Sequence, residues 1–410
     1  MKATLIPLRR ACVAAAAATV LLVPAGAAHA YGASAAPGPA APSPTPSPSA
    51  DDGFARLTPA VAAELDAAIR KTMAEAKVPG VIVGLWAPGK GSYVKAFGVA
   101  DKATGAPMRT DLRFRVGSET KTFTVTALLQ LVDQGKVGLD DPIGKYVSGV
   151  PNGDRITLRE LAGMRSGLFN YSEDPAFDKA LTSSPDRVFT PRELLGYSFG
   201  HPVNFAPDAK FEYSNTNLIL LGLVIEKTTG RRLADVVNQD VIKAAGLHHT
   251  LFPTGSEFPA PHAQGYTDQT ASGKVENATA WDPSWAWAAG AVISDLQDLR
   301  SWAKTLATGT LLTPATQAER LKTKPVGIPG DGYGLGIFDV QGWIGHNGSL
   351  PGYETLTVYL PQAKARMVVL LNTDVLVHGQ EPSTLFGSAI TGIVTPGHVY
   401  PGKKPPVQSR

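Results

Sequence analysis

Cysteine is almost absent from this chain. The single cysteine, Cys12, lies in a leader-like segment at the start, so everything after it lacks a thiol. This composition excludes disulfides and cysteine nucleophiles from the remainder of the protein. Metal-ligand spacing is also lacking, because His248 and His249 are adjacent and would point apart on a regular element. We therefore expect no metal and no other cofactor.

The chain also has no large excess of basic or acidic residues. The chain has 38 basic residues and 35 acidic ones, and Lys2, Arg9 and Arg10 in the leader account for the whole difference. The part after the leader therefore has a formal net charge of zero. Such a balance gives no indication of a nucleic-acid or anionic-membrane partner, and we expect neither.

The first 30 residues have the features of a secretory signal peptide. Arg9 and Arg10 precede an apolar run over 11–23 that is short for a membrane span, and Ala28-His29-Ala30 fits a cleavage site. We predict removal of residues 1–30 by the general secretory route, with twin-arginine export and an uncleaved anchor as alternatives. The mature protein would then be secreted, extracellular or associated with the cell wall, and without a membrane span.

The remaining sequence predicts one domain between two extended segments. Residues 31–51 are rich in Pro, Ala and Ser, which is typical of a semi-rigid linker. Residues 396–410 have the composition of a solvated tail. The region between them, 52–395, shows no repeat and no second linker, so we predict one domain and expect a monomer.

Apolar periodicity predicts strands at both ends of this domain and helices between them. A helix should begin at Thr58-Pro59, and the middle of the domain, 122–306, should be mostly helices and loops. The pattern indicates an α/β (α+β) fold whose antiparallel sheet is built from both chain ends. The predicted strands are 81–86, 92–98, 334–340, 343–346, 354–360 and 366–371, followed by a helix over 384–393.

The most informative motif is Ser118-x-x-Lys121 at the start of an apolar helix. One turn apart on the same helix face, the lysine would lie beside the hydroxyl. Free N–H groups at the helix start can bind an oxyanion, and a buried lysine can lose its charge and act as a base. An N-capping serine with a surface lysine is the structural alternative.

Two further Ser-x-x-Lys patterns lack this setting. Ser92 and Lys95 lie in a predicted strand, where positions i and i+3 point to opposite faces. Ser301 and Lys304 lie inside an amphipathic helix, where the N–H groups are already bonded. Ser118 is therefore the predicted nucleophile.

A second segment, Tyr213-Ser214-Asn215, could supply proton transfer and substrate binding. A loop tyrosine near the lysine can relay a proton to or from Ser118, and the Asn215 amide can bind a substrate amide. An ordinary turn is the alternative for this segment.

A third segment, His346-Asn347-Gly348, follows a short apolar strand. His346 could orient the proton network or supply positive charge, although a structural histidine is the alternative. Gly348 would let a substrate backbone approach the strand. The Ser349 N–H could be a second oxyanion donor, and its hydroxyl could bind a carboxylate.

The order of these motifs resembles that of the penicillin-recognising serine hydrolases, which include class C β-lactamases and secreted D-alanyl-D-alanine carboxypeptidases. The resemblance extends over about 57–373 and includes a Ser-x-x-Lys motif typical of the superfamily. The segments that carry it are 115–121, 129–136, 165–168, 213–217, 289–294 and 332–336.

This resemblance implies the DD-peptidase/β-lactamase fold and a penicillin-binding carboxypeptidase without a cofactor. Ser118 would be acylated by a cell-wall peptide and release its C-terminal D-alanine, while Lys121 and Tyr213 share the proton transfers. The resemblance assigns the other site residues to substrate binding: Asn215, His346, Asn347, Gly348, Ser349, Trp285 and Phe189. The structural alternative for Trp285 and Phe189 is a position in the hydrophobic core.

Two positions depart from the carboxypeptidase pattern. Asn347 replaces the usual threonine of the strand motif, and Phe338 stands where an arginine would grip the substrate's carboxylate. Without that charge-assisted contact, carboxylate recognition should weaken while the acyl-enzyme chemistry remains. The alternatives are a β-lactamase, an esterase or amidase acting on D-residues, and a non-catalytic sensor of cell-wall peptides or β-lactams.

Overall fold

The computed structural model describes residues 53–400, so the predicted signal peptide, the linker and residues 401–410 lie outside the described residues. The helices in this range are α1 (Pro59–Ala76), α2 (Thr120–Asp133), α3 (Leu158–Ala162), α4 (Pro175–Ser183), α5 (Pro191–Phe199), α6 (Asn215–Thr229), α7 (Leu233–Val236), α8 (Leu296–Thr308), α9 (Pro314–Leu321) and α10 (Pro382–Val394). The strands are β1 (Gly80–Ala87), β2 (Gly91–Gly98), β3 (Phe114–Arg115), β4 (Tyr266–Thr267), β5 (Glu276–Asn277), β6 (Ile293–Ser294), β7 (Lys324–Pro325), β8 (Asp331–Tyr333), β9 (Phe338–Val340), β10 (Trp343–Leu350), β11 (Tyr353–Leu360) and β12 (Ala365–Leu371).

Eight of these strands form one antiparallel sheet, in the order β2-β1-β12-β11-β10-β9-β8-β7. The N-terminal hairpin joins the C-terminal strands where β1 pairs with β12, with Val81 opposite Leu371. This pairing confirms the predicted α/β fold class and the sheet built from both chain ends. The polypeptide between β2 and β7 supplies the helical region beside the sheet.

The sheet is covered on both faces, which explains the uninterrupted apolar sequence of its central strands. Val81, Val83 and Leu85 of β1 lie in the cluster formed with α1 and α10. Ile82, from the opposite face of the same strand, belongs to the cluster that contains α2 and α8. Because successive strand residues point to opposite faces, a strand buried on both sides loses its alternating pattern.

The prediction of one strand over 334–340 is wrong, because β8 ends at Tyr333 and β9 begins only at Phe338. Gly336 turns the chain between them with a φ of +69°, and a Cβ there would lie 2.7 Å from a Val125 methyl carbon. The chain must reverse here because it meets α2, which an apolar sequence pattern cannot reveal. β10, in contrast, continues past the predicted end at His346 as far as Leu350.

The ordered chain also continues past residue 395, the predicted end of the domain. Tyr400 is buried against α10 and the sheet. The Trp343 indole donates a hydrogen bond of 2.8 Å to the backbone oxygen of His398. Residues 396–400 therefore belong to the packed domain, because they cover β10 and α10.

Ser118 is held in place by close contact between two backbone segments. Gly117 has a φ of +52°, and a Cβ at Gly348 of β10 would lie only 1.9 Å from the Val116 oxygen. The Thr355 hydroxyl on β11 donates a 3.1 Å hydrogen bond to that oxygen. Gly348 is thus required for contact with the protein's own nucleophile turn, whereas the sequence suggested only a close approach by substrate.

We predict that Gly348→Ala destabilises the protein by about 1–3 kcal/mol, because the added methyl overlaps Val116 and cannot move aside on a paired strand. Urea unfolding of the domain measures this change. Gly392→Ala is the matched control, because Gly392 lies on an exposed helical surface with open space around it. The control should raise stability by about 0.5–1 kcal/mol through helix propensity. Equal stability of Gly348→Ala and the wild type would contradict the prediction.

Candidate active site

Ser118 lies in a single 3₁₀ turn, Gly117–Glu119, which leads directly into α2. The Val116 N–H donates to the Val292 oxygen over 2.9 Å, so the turn is tied on one side to the segment before β6. On its other side, a Cβ at Gly117 would lie 2.8 Å from the Ser349 nitrogen. The backbone nitrogens of Ser118 and Ser349 are thereby brought close together, as the predicted pair of oxyanion donors requires.

Lys121 is fully buried and points at the nucleophile. Its Nζ lies 2.8 Å from Ser118 Oγ and 2.8 Å from the backbone oxygen of Ala289. Burial holds the pKa of Lys121 well below its usual value of 10.5. In the neutral form, an N–H can donate to Ala289 while the lone pair faces the Ser118 hydroxyl proton, which is the geometry of a general base.

Tyr213 lies on the other side of the lysine. Lys121 Nζ is 4.8 Å from the centroid of the Tyr213 ring. Burial raises the pKa of Tyr213, an interaction with the Ser118 side chain opposes that rise, and the Glu381 carboxylate adds to it. A phenol that holds its proton this firmly is suited to donating or relaying one, whereas the neutral amine of Lys121 is suited to accepting one.

Asn215 is the first residue of α6 and belongs to a polar network that the sequence did not reveal. Its Nδ2 donates to Ser172 Oγ over 3.1 Å, and its N–H donates to Asn170 Oδ1 over 3.0 Å. Ser172 in turn donates to Asn170 Oδ1. The network fixes the Asn215 amide at the site with one edge already bonded.

β10 presents a free edge beside the nucleophile. β9 pairs with β10 only as far as Gly345, so from His346 to Leu350 the strand has a neighbour, β11, on one side alone. An extended substrate could pair with this edge and place its carbonyl near Ser118.

His346 is a buried, neutral member of the site. Its Nε2 lies 3.2 Å from the Tyr333 hydroxyl, and its Nδ1 contacts the backbone oxygen of Asn347. Burial lowers the pKa of His346 to about 3. This assigns it to orienting the proton network, and its suggested role as a source of positive charge is wrong at neutral pH.

Asn347 points away from the nucleophile turn. It lies opposite Leu356, whose side chain packs with α10, and its Nδ2 donates to Glu381 Oε2 over 2.6 Å. Glu381 directly precedes α10 and is half-buried. The amide that the resemblance assigned to substrate binding is therefore bonded to a carboxylate of the protein.

Phe338 lies within a cluster of aromatic rings around His346. The ring centroids of Phe338 lie 4.6 Å from Tyr333, 4.9 Å from His346 and 6.5 Å from the nearly parallel Tyr213. Phe211 joins the cluster from the loop before Tyr213. An aromatic surface thus replaces the arginine of the carboxypeptidase pattern.

The two predicted pocket aromatics have different positions. Trp285 is half-buried, and its backbone oxygen accepts a 2.6 Å hydrogen bond from Tyr171. Phe189 is 3% exposed and packs 5.6 Å from Phe177, measured between ring centroids. Phe189 is therefore a core residue, while the half-buried Trp285 packs against the same Phe177 ring, 6.0 Å away between centroids.

Within residues 53–400, one group of side chains has ligand atoms close enough to suggest a metal: His249, Asp295 and Asp298. Both aspartates already accept hydrogen bonds from the protein. Asp295 caps α8 and contacts the His249 ring over 2.6 Å, and Asp298 accepts from the His249 N–H and the Thr250 hydroxyl. These contacts give the group a structural explanation as a helix start and loop anchor.

The sequence model of one protein family, described as Beta-lactamase, matches residues 65–384. This match covers most of the chain and both halves of the site.

The chain belongs to the beta-lactamase family.

Relatives of this beta-lactamase-family protein include one described as a putative penicillin-binding protein. Protein flp of Staphylococcus aureus (strain N315) is 24% identical over 336 residues, which are 78% of this chain and 64% of flp. The chain thus spans less than two thirds of flp. The putative penicillin-binding protein PbpX of Bacillus subtilis (strain 168) is 27% identical over 281 residues, 68% of this chain and 66% of PbpX. The chain is a serine hydrolase of the superfamily predicted from its motifs.

Solved structures place amidohydrolases among its structural neighbours. A D-stereospecific amidohydrolase from Streptomyces sp. has 33% identity and a TM-score of 0.70, with 76% of this chain and 94% of that chain covered. The D-amino acid amidase from Ochrobactrum anthropi SV3, complexed with L-phenylalanine amide, has 28% identity and a TM-score of 0.70, with 81% and 99% covered. In the described part of this family member, no helix is long and apolar enough to cross a membrane.

Glu119, directly after the nucleophile, generates a stability prediction. It is fully buried, and burial raises its pKa from 4.5 to about 8, although Thr355 and Thr357 of β11 partly offset the rise. A carboxyl whose pKa is raised on folding stabilises the fold most below pH 4.5, and this contribution is lost as pH rises toward 8. Glu119→Gln mimics the protonated acid, so its stability advantage should grow between pH 5 and 8 to a few kcal/mol.

Thermal and urea unfolding across this pH range test the prediction. Glu64→Gln, at an exposed position of α1, is the matched control, and its stability relative to the wild type should not increase with pH. A Glu119→Gln protein with the same pH dependence as the wild type would refute buried protonation of Glu119.

Lys121 generates a prediction about rate. Because the neutral amine is the base, Ser118 acylation should increase with pH and reach a plateau well below pH 10.5. Lys121→Arg, which stays charged, should lose about 10²-fold or more at every pH. Stopped-flow acylation by an activated ester between pH 5 and 10 measures both. A rate that begins to rise only near the ordinary lysine pKa would exclude Lys121 as the base.

Proposed function

We propose that this protein is a serine amidohydrolase that cleaves amides of D-configured residues through a Ser118 acyl-enzyme. The chemistry follows from the hydroxyl, amine and phenol that meet at Ser118, Lys121 and Tyr213. The preference for D-residues is supported by similarity to a D-stereospecific amidohydrolase and a D-amino acid amidase.

In the proposed reaction, Ser118 Oγ attacks the scissile carbonyl carbon and its proton passes to Lys121 Nζ. The carbonyl oxygen becomes an oxyanion beside the backbone N–H groups of Ser118 and Ser349. The C–N bond then breaks, and the leaving nitrogen receives a proton from the Lys121–Tyr213 pair. Water attacks the acyl-enzyme in the second half and returns Ser118 to its starting state. No cofactor is required by any step.

The observation that favours an amidohydrolase over a carboxypeptidase is the aromatic cluster at Phe338. A substrate ending in D-alanine carries a carboxylate that needs a cation or several hydrogen-bond donors. Phe338 gives that group an apolar surface, packed against Tyr333 and His346, of which the histidine is neutral. An amide or ester without a carboxylate lacks this desolvation cost.

D-Ala-D-Ala carboxypeptidase activity with penicillin binding is the second candidate. Its support is the motif order and the similarity to a putative penicillin-binding protein. A β-lactamase would need a water placed to free Ser118 rapidly. The complete set of Ser118, Lys121 and Tyr213 favours any of these enzymes over a non-catalytic sensor.

We further propose that the enzyme acts outside the cell as a monomer on small peptide, amide or β-lactam substrates. The support for export is the leader pattern of residues 1–30. Peptidoglycan peptides would then be within reach of its free β10 edge.

The decisive experiment compares D- and L-phenylalanine amide with a peptide ending in D-Ala-D-Ala and with benzylpenicillin. We expect turnover of the D-amide at least 10²-fold above the L-amide, weak release of D-alanine, and complete loss in Ser118→Ala. Release of ammonia and D-alanine, and the intact mass of the protein, are the readouts. Faster release of D-alanine than of ammonia would favour the carboxypeptidase, and full activity of Ser118→Ala would reject the nucleophile.

A further inference from the structure

A glutamate of this protein is hydrogen-bonded to Asn347, a residue of the strand motif. Asn347 Nδ2 donates to Glu381 Oε2 over 2.6 Å, from a strand residue next to the free β10 edge. Glu381 is half-buried and directly precedes α10. Neither residue is needed for the proton transfers around Ser118.

A second carboxyl, Glu354 of β11, lies behind Glu381 and is completely buried. Its Oε2 accepts the Ser383 N–H over 2.7 Å, while its Oε1 has no partner. Burial and the neighbouring Glu381 raise the pKa of Glu354 well above its usual range. Burial also raises the pKa of Glu381, against the hydrogen bond from Asn347. Glu354 is completely buried, whereas Glu381 is half-buried and accepts the Asn347 amide hydrogen, so we assign the negative charge of the pair to Glu381.

The Glu381 carboxylate acts electrostatically on a residue of the catalytic centre. Its carboxylate contributes to the raised pKa of Tyr213, whose hydroxyl interacts with Ser118. In the described part of the chain Glu381 forms no salt bridge, and Asn347 provides its one side-chain hydrogen bond. The negative charge assigned to Glu381 is therefore not paired with a cation among the described residues, and it lies on Asn347, next to the free β10 edge.

We propose that Glu381, oriented by Asn347, is a specificity-determining residue that rejects substrates with a carboxylate on the leaving group. Leaving groups that are neutral are accepted, and those with a positive charge are favoured. This inference rests on the proposed amidohydrolase function and deepens it by naming the leaving-group class. Phe338 provides no partner for a carboxylate, and Glu381 repels one, so the two act independently toward the same preference.

Benzylpenicillin and its methyl ester form a probe pair that isolates this charge. In both, Ser118 Oγ bonds to the β-lactam carbonyl carbon as the ring C–N bond breaks, and the ring nitrogen takes up a proton. The carboxylate lies on the leaving-group side in the acid and is neutralised in the ester. The rate of adduct formation, followed by intact mass, gives an acid-to-ester ratio that cancels effects common to both probes.

We expect Glu381→Gln to raise the acid-to-ester ratio on the order of tenfold over the wild type, as removal of a unit charge several ångströms away should. Glu354→Gln is the matched control, because glutamine resembles the protonated acid, and its ratio should equal that of the wild type. Circular dichroism confirms that both variants fold.

An unchanged ratio in Glu381→Gln overturns the inference, as does an equal increase in Glu354→Gln, which would put the charge on the other carboxyl. Parallel turnover of D-phenylalanine amide separates this result from the proposed function. An increased acid-to-ester ratio without turnover of the D-amide supports the inference about Glu381 and rejects the amidohydrolase function. A normal D-amide rate with an unchanged ratio supports the amidohydrolase function and rejects the inference about Glu381. If neither probe acylates any of the three proteins, the inference about Glu381 is rejected, and the D-amide rate alone tests the proposed function.

Discussion

The contact between the nucleophile turn and β10 is the constraint on which the rest of the site depends. Gly348 can face the Val116 oxygen only because it has no Cβ, and Gly117 turns the chain with a positive φ beside Ser349. The contact sets the distance from Ser118 to the free edge of the sheet. It also brings together the two backbone nitrogens that could bind an oxyanion. Backbone packing between the helical region and the sheet therefore positions the parts of the site.

Burial then determines the charge state of the groups around Ser118. The same desolvation that lowers the pKa values of Lys121 and His346 raises those of Tyr213 and Glu119. Neutral forms are favoured in every case, because each charged form would lose its hydration. Lys121 and Tyr213 thus acquire complementary abilities to accept and donate a proton. A site built in this way needs no ion pair to activate its serine.

The residues to which we attribute the proposed substrate preference lie around this neutral centre. Phe338 and Glu381 lie beside opposite parts of the β10 region, the first in an aromatic cluster and the second on Asn347. We propose that both disfavour a substrate carboxylate, Phe338 by offering no polar partner and Glu381 by repulsion. The family membership supports the proposed acyl-enzyme chemistry, and the proposed preference for amides rests on these peripheral contacts.

The amino-acid sequence alone determined the sheet built from both chain ends, because apolar strands and helix-starting residues are local patterns. It also singled out the predicted nucleophile, since only Ser118 among three Ser-x-x-Lys patterns stands at a helix start. The tertiary structure alone decided the hairpin at Gly336, the packing of residues 396–400, the core position of Phe189 and the neutral state of His346. It also decided that Asn347 meets Glu381. These features depend on burial and on contacts between segments far apart in sequence, and neither quantity is encoded in the local pattern of residues.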